Sequence, residues 1–353
     1  MKLINLIPEE VKTVSVIGMT KNAGKTVTLN RLIIEAVEEK RILGLTSIGR
    51  DGEQEDVVTG TEKPGIDVVP DTLLATTDGC LTRSNARVEI LENTREKTPV
   101  GQVLIVRVMQ AGRVELAGPD TSRGVRYVCD RMLGYGAEQV LVDGALNRIS
   151  SASPAITDAC ILSTGAAFDR DLHRVVEETA HQVRLLGLPL WKAEDELLNR
   201  KNDESMDAWL PEKCAVGLVT RKGEIRTLDL ITALNGGREI GRSMSSEDQG
   251  VLIRGSLTGR TLKDLMNATQ LYRQIPLIIE DATRLFVTSR DWQIWQKRGL
   301  QVKVLRKSRL LFITINPWSP GGWTFDSRVF RDEMKKAAKP YDVINVLGRE
   351  EIH

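Results

Sequence analysis

Residues 14–30 read VSVIGMTKNAGKTVTLN: an apolar, β-branched run, then a loop holding Gly18, Gly24, Lys25 and Thr26, then a segment of helical character. A strand that enters a helix through a glycine-containing loop aims several backbone N–H groups and the positive end of the helix dipole at one point, where a triphosphate fits. The expected cradle runs from Gly18 through Lys21, Asn22 and Ala23 to Gly24, Lys25, Thr26 and Val27. Gly24 lets the backbone come close, Lys25 reaches the β- and γ-phosphates as a point charge, and the Thr26 hydroxyl completes a magnesium shell. The cofactor implied is a magnesium-bound nucleoside triphosphate. The usual spacing G-x-x-x-x-G-K-[ST] would put the first glycine at Met19, so with Gly18 the loop is one residue longer.

At 353 residues the chain is long enough for about two domains. With 49 basic and 48 acidic residues, the net charge of +1 gives no bulk attraction to nucleic acid or to an anionic membrane. The N-terminus, MKLINLIPEEVK, has too short an apolar run before Pro8 and Glu9 for a signal segment. No later run approaches the ~20 apolar residues of a membrane span, so the expected location is the cytoplasm. Cys80, Cys129, Cys160 and Cys214 are isolated, with no C-x-x-C pair, and read as small buried hydrophobes rather than zinc ligands or disulfides.

From residue 14 to about residue 190, apolar runs alternate with helical segments, which predicts a mostly parallel α/β sheet flanked by helices. Strands are expected at 13–17, 44–48, 101–108, 139–142 and 159–162, and helices at 25–38, 122–133 and 170–185. The stretch VRVMQAGRVELAGP reads as a hairpin turning at Ala111 and Gly112. Residues 192–207, KAEDELLNRKNDESMD, are dense in charge, which places a boundary after them: a nucleotide-binding domain over 1–207 and a second α/β domain over 208–353 that binds a partner or substrate. In the second domain strands are expected at 215–219, 251–253, 277–279, 302–305 and 310–315, with helices at 262–270 and 330–338.

Further groups bear on chemistry. Gln139 to Gly144, QVLVDG, is a buried-strand pattern ending in an acid, which makes Asp143 the candidate for the second magnesium-ordering carboxylate; a tight Asp-Gly turn is the structural alternative. Asn147 and Arg148 follow on the same loop. In TSIGRDGEQED, Arg50, Asp51 and Glu53 end the second strand, and ligands of open parallel sheets lie outside the strands' carboxyl ends. Asp51 is therefore a second candidate for holding magnesium or orienting the attacking water. TGTEKPG, with Thr59, Gly60, Thr61 and Lys63, has switch-like composition, and STGAA at 163–167 suits close approach of a ligand or a helix. His173 and His181 are two helical turns apart, too far for a simple metal pair. Trp292 and Trp295 have the spacing of a core-facing pair, whereas Trp318 and Trp323 fall in a Pro/Gly loop suited to contacting a partner; Asn316, just before, could read a base.

GMTKNAGKT resembles the loop of dethiobiotin synthetases, a branch of the SIMIBI class of P-loop NTPases. Lys21 resembles the additional lysine of that class but lies four residues before Lys25, where the class has it five before. The strand end that carries Arg50 and Asp51 bears a substrate-facing charge in such relatives. GMTKNAGKT, TSIGRDGEQEDVVTGTEKPG, VDGALNR and ITINPWSPGG together resemble the ATP-binding subunit of lysine 5,6-aminomutase reactivases, of bacterial amino-acid fermentation. The resemblance implies ATP and Mg2+ as cofactors, and ATP hydrolysis with Lys25, Asp51 and Asp143 as the working residues. It also implies a chaperone-like role, the exchange of damaged cobalamin for intact adenosylcobalamin in an aminomutase, with a second reactivase subunit as partner. A homodimer across the nucleotide face is implied by the class. The alternative is a dethiobiotin-synthetase-like ligase that activates a small carboxylate or carbamate, with Arg50, Lys63 or Arg148 holding the anion.

Overall fold

The computed structural model describes residues 2–49, 65–144, 152–192 and 205–347. By packing, the chain forms two units, Met1–Ala180 with Arg309–His353, and His181–Ser308.

The first unit is built on a nine-stranded sheet in the order β18-β17-β9-β1-β8-β2-β4-β6-β5. Its strands are β1 (Thr13–Gly18), β2 (Leu43–Ser47), β4 (Leu73–Thr77), β5 (Arg87–Thr98), β6 (Gly101–Gln110), β8 (Gln139–Asp143), β9 (Ala159–Gly165), β17 (Leu310–Asn316) and β18 (Val343–Asn345). From β18 to β4 all pairings are parallel, and β6 and β5 close the sheet antiparallel. A separate antiparallel pair joins β3 (Ile66–Val68) to β7 (Gly112–Val114). The helices are α1 (Lys25–Glu38), α2 (Asp78–Thr82), α3 (Ser122–Gly134), α4 (Leu172–Leu186), whose last residues belong to the second unit, and the late helix α9 (Ser327–Ala337).

Strand alternation explains why both faces of this sheet are apolar. Val14, Val16, Leu141 and Ile161 pack with Leu29, Leu32 and Ile33 of α1 on one face. On the other, Val140 and Val142 pack with Val125, Val128 and Met132 of α3. A helix lies on each face, and the carboxyl ends of the central strands are left to the loops.

The second unit holds a five-stranded sheet, β11-β10-β12-β14-β16. Here β10 (Val216–Thr220) pairs antiparallel with β11 (Ile225–Thr227) and with β12 (Asp248–Ile253), while β12, β14 (Leu277–Ile279) and β16 (Val302–Val304) run parallel. The short strands β13 (Leu257–Thr258) and β15 (Leu285–Phe286) pair with each other, and the helices are α5 (Met206–Trp209), α6 (Gly237–Ser243), α7 (Gly259–Ala268) and α8 (Ser289–Lys297). Trp292 and Trp295 are buried, as the helical spacing of that pair requires.

Two expectations are corrected. The hairpin does not turn at Ala111 and Gly112: β7 leaves the sheet to pair with β3, because Val114 buries with Ile66 and Val68 in the α1-side core. The hairpin is β5–β6, closed where Thr98 pairs with Gly101. Nor do the units divide after residue 207. β17 returns to pair with β9, bringing the buried Phe312 and Ile313 into the first unit. Residues 193–204, most of the charged stretch, lie outside the described residues. Among the described residues no helix is long and apolar enough to cross a membrane. All four cysteines are free, and burial pushes the thiols of Cys129 and Cys160 up to about 12.

Candidate functional site

β1 runs out at Gly18, and the loop that follows is pinned by the Met19 N–H, which donates to Ser163 O at 2.9 Å. The chain then turns through two left-handed residues, Asn22 (φ 61°) and Gly24 (φ 100°), and enters α1 where the Thr28 N–H donates to Gly24 O at 2.9 Å. Gly24 is the N-cap and brings no capping oxygen, and the first turn of α1 contains no acid. The dipole end and the first-turn N–H groups therefore face the loop without a negative side chain of their own. Lys25 folds back over the strand end: a Cβ on Gly18 would lie 3.0 Å from its Cγ and 3.3 Å from its Nζ. Thr26 is partly exposed and Val27 exposed in the same turn, Lys21 is partly exposed, and Ala23 is buried beneath the loop.

Asp143 ends the neighbouring strand. It pairs in register with Val16 of β1 on one side and Ser47 of β2 on the other. The bonds Gly144 N–H to Val16 O (3.1 Å) and Ile48 N–H to Asp143 O (3.2 Å) fix it at the carboxyl edge, one strand from the loop. A third acid that sequence reasoning missed stands beside β2. Gly118 is packed so tightly that a Cβ would overlap the Ser47 carbonyl oxygen. Its N–H donates to Ser47 Oγ at 3.0 Å, and the Gly49 N–H donates to Pro119 O at 2.9 Å. The loop 117–120 is thereby laid across the strand end, and Asp120 Oδ1 is 3.0 Å from where Gly49 would carry a Cβ. The only signal in sequence was Gly-Pro-Asp before a helix, which reads as an ordinary helix entry.

Beneath the loop, three buried hydroxyls tie α1 to the sheet. Thr28 Oγ1 donates to Gly24 O at 3.0 Å and lies 3.0 Å from Thr314 Oγ1, which donates to Ser163 Oγ at 2.8 Å. Asn316, at the end of β17, braces the loop directly: its Nδ2 donates to Asn22 O at 3.4 Å, and its Cβ is 3.0 Å from the place a Gly24 Cβ would take. Gly165 packs against the Asn316 backbone, so the small residues of STGAA serve close packing there. Trp323 is integrated by its Nε1–H, which donates to Ala166 O at 3.1 Å, and by the Arg170 guanidinium, 4.7 Å above the ring centroid; Trp318 is half-exposed.

Arg50, Asp51, Glu53, Thr59, Gly60, Thr61, Lys63, Asn147 and Arg148 lie outside the described residues. His181 is buried with Nε2 3.0 Å from Val287 O, and His173 is partly exposed. Among the described residues no three His, Cys, Asp or Glu side chains gather as a metal site. The site that can be described is thus the loop 18–25, Thr26, Asp143 and Asp120, at the carboxyl edge of a mostly parallel α/β sheet. Compared with models of protein families, with curated proteins and with solved structures, the chain matches none.

Proposed function

We propose that the chain is a magnesium-dependent P-loop ATPase of the SIMIBI class that works a molecular switch: the ATP-binding subunit of a reactivase for an adenosylcobalamin-dependent aminomutase of the lysine 5,6-aminomutase type. The observation that carries the nucleotide half is the Lys25 side chain folded against Gly18, at the mouth of a helix whose cap is the left-handed Gly24. A side chain at position 18 would crowd Lys25, so glycine there lets the ammonium lie close over the strand end, an arrangement that suits a triphosphate. Thr26 and Asp143 offer a hydroxyl and a carboxylate, hard oxygen donors that suit magnesium. When bound, magnesium supplies charge neutralisation at the β- and γ-phosphate oxygens. Lys25 holds the triphosphate by charge, the loop amides fix its position, and Asp143 orients water beside the terminal phosphate. From the sequence, Asp51 is assigned to the same task.

The reactivase half rests on the resemblance of the four sequence stretches quoted above. ATP bound at the loop would favour one conformer and hydrolysis the other, and a ligand shifts such an equilibrium only by its differential affinity. The partners are a second reactivase subunit and the aminomutase in the cytoplasm, with damaged cobalamin exchanged for intact adenosylcobalamin.

Steady-state ATP hydrolysis by the purified chain tests this, alone and with the second subunit and an adenosylcobalamin aminomutase inactivated by turnover. Stimulation with regained aminomutase activity is the expected result. ATP binding without any response to the protein would turn the reading to a dethiobiotin-synthetase-like ligase acting on a small carboxylate or carbamate.

A further inference from the structure

We infer that the nucleobase stacks on Trp318, and that the site therefore binds purine nucleoside triphosphates without distinguishing adenine from guanine. This rests on the reading that the loop 18–25 holds the triphosphate.

The adjacent parallel strands β17 and β18 end in the same way. Asn316 Oδ1 accepts the Trp318 N–H at 3.1 Å, and Asn345 Oδ1 accepts the Leu347 N–H at 3.0 Å. Both asparagines are buried, at 5 % and 8 % exposure, and the Asn316 amide is turned inward at its other end too, donating to Asn22 O. The side chain best placed in the sequence to read a base edge is thus committed to bracing the loop. What each turn presents outward is a large apolar group, Trp318 at 50 % exposure and Leu347 at 53 %.

These groups are continuous with the phosphate end. Asn316 Cβ and Val346 Cγ2 lie 3.0 and 3.6 Å from the place a Gly24 Cβ would take, so the two turns that carry Trp318 and Leu347 start against the loop. Trp318 is held in place by the paired backbone of Trp318 and Thr324 and by the Ser319 N–H, which donates to Trp323 O at 3.0 Å. The Trp323 ring is already engaged by Arg170 and Ala166, whereas among the described residues the Trp318 ring has no such partner. A fixed, half-exposed indole holds a base through its π face, and stacking is tolerant of base identity because it reads no edge.

The test is equilibrium binding of ATP, GTP and inorganic tripolyphosphate, each with magnesium, to the full chain and to Trp318→Ala, Trp318→Phe and Lys25→Ala. Trp318→Ala should weaken ATP and GTP about tenfold and leave tripolyphosphate within about twofold, with Trp318→Phe restoring most of the loss. ATP should quench tryptophan fluorescence of the wild type, and Trp318→Phe should abolish most of that quench. Unchanged ATP affinity in Trp318→Ala, or a preference for ATP over GTP beyond about tenfold in the wild type, overturns the inference. Failure of the underlying reading looks different: the wild type then binds no tripolyphosphate, or Lys25→Ala binds ATP as the wild type does.

Discussion

Helices in each unit start beside the ends of strands, and α1 of the first unit starts differently from α7 and α8 of the second. In the second, α7 is capped by Thr258, whose Oγ1 accepts the Thr261 N–H at 3.3 Å, and α8 by Thr288, whose Oγ1 accepts the Asp291 N–H at 3.1 Å, with Asp291 itself in the first turn. In the first, α1 starts at Gly24, with neither a capping oxygen nor an acid in its first turn, and with Lys25 folded beside it. Each capped start satisfies one of its own N–H groups with a side chain and reads as structural. The α1 start leaves that task to something else, and an anion is what the dipole and the ammonium favour.

The largest effect expected is on Lys25. Lys25→Ala should weaken MgATP binding about 100-fold, the loss of roughly two charge-assisted contacts, with the thermal midpoint of the free protein unchanged in a calorimetric scan. An unaltered titration curve would make the α1 start as structural as those of α7 and α8. Asp143→Asn comes next: turnover should fall about 10- to 100-fold while ATP affinity stays within about threefold. Turnover that survives would move the water-orienting task to Asp51. In the other direction, Thr258→Ala should cost about 1 kcal/mol in urea unfolding of the second unit and leave nucleotide affinity untouched. A change in nucleotide affinity there would break the contrast between the two kinds of helix start.

The smallest effect sharpens a related contrast, between the two edges of β1. At the amino edge, burial raises the Asp158 carboxyl, but Arg126 at 3.1 Å and the N–H groups of Thr13 and Lys12 outweigh it and hold the group below the usual carboxylate range. A lowered folded-state value means that the stabilisation is complete above the unfolded value, about 4 for an aspartate, and is lost as pH falls through the folded one. Acid titration of unfolding should therefore show a declining limb below about pH 4 that is shallower in Asp158→Asn. Identical limbs would show that this edge is not stitched by the carboxylate.

Much of the first unit was legible locally. The β-branched run and the lysine-threonine helix start placed β1 and α1 almost to the residue, since α1 spans Lys25–Glu38 as expected and β1 extends only to Gly18. Asp143 at a strand end followed from an apolar run closed by an acid. β5 was not legible, because RVEILENTREKT carries charge at half of its positions and forms the outermost strand, where neither face needs to be apolar. The return of β17 to β9 was not legible either. Pairing across an intervening unit leaves no periodic mark, and 310–315 reads as a strand wherever it pairs. Asp120 was missed for the same reason: its place beside Gly49 is set by Gly118 lying on Ser47, a contact between residues 71 apart.

The contact between Asn316 and Asn22 spans 294 positions. A ribosome makes the loop well before its brace, which follows only after the whole of His181–Ser308 has been synthesised. Until then β9 is an open edge of the growing sheet, and the left-handed turn at Asn22 lacks the side chain that holds it. Such distant closures are slow, and an unpaired strand edge invites association with other chains. Nascent chains halted before Arg309 should accordingly need shielding by chaperones, and nucleotide-binding competence should be acquired late and all at once, when the last strands dock.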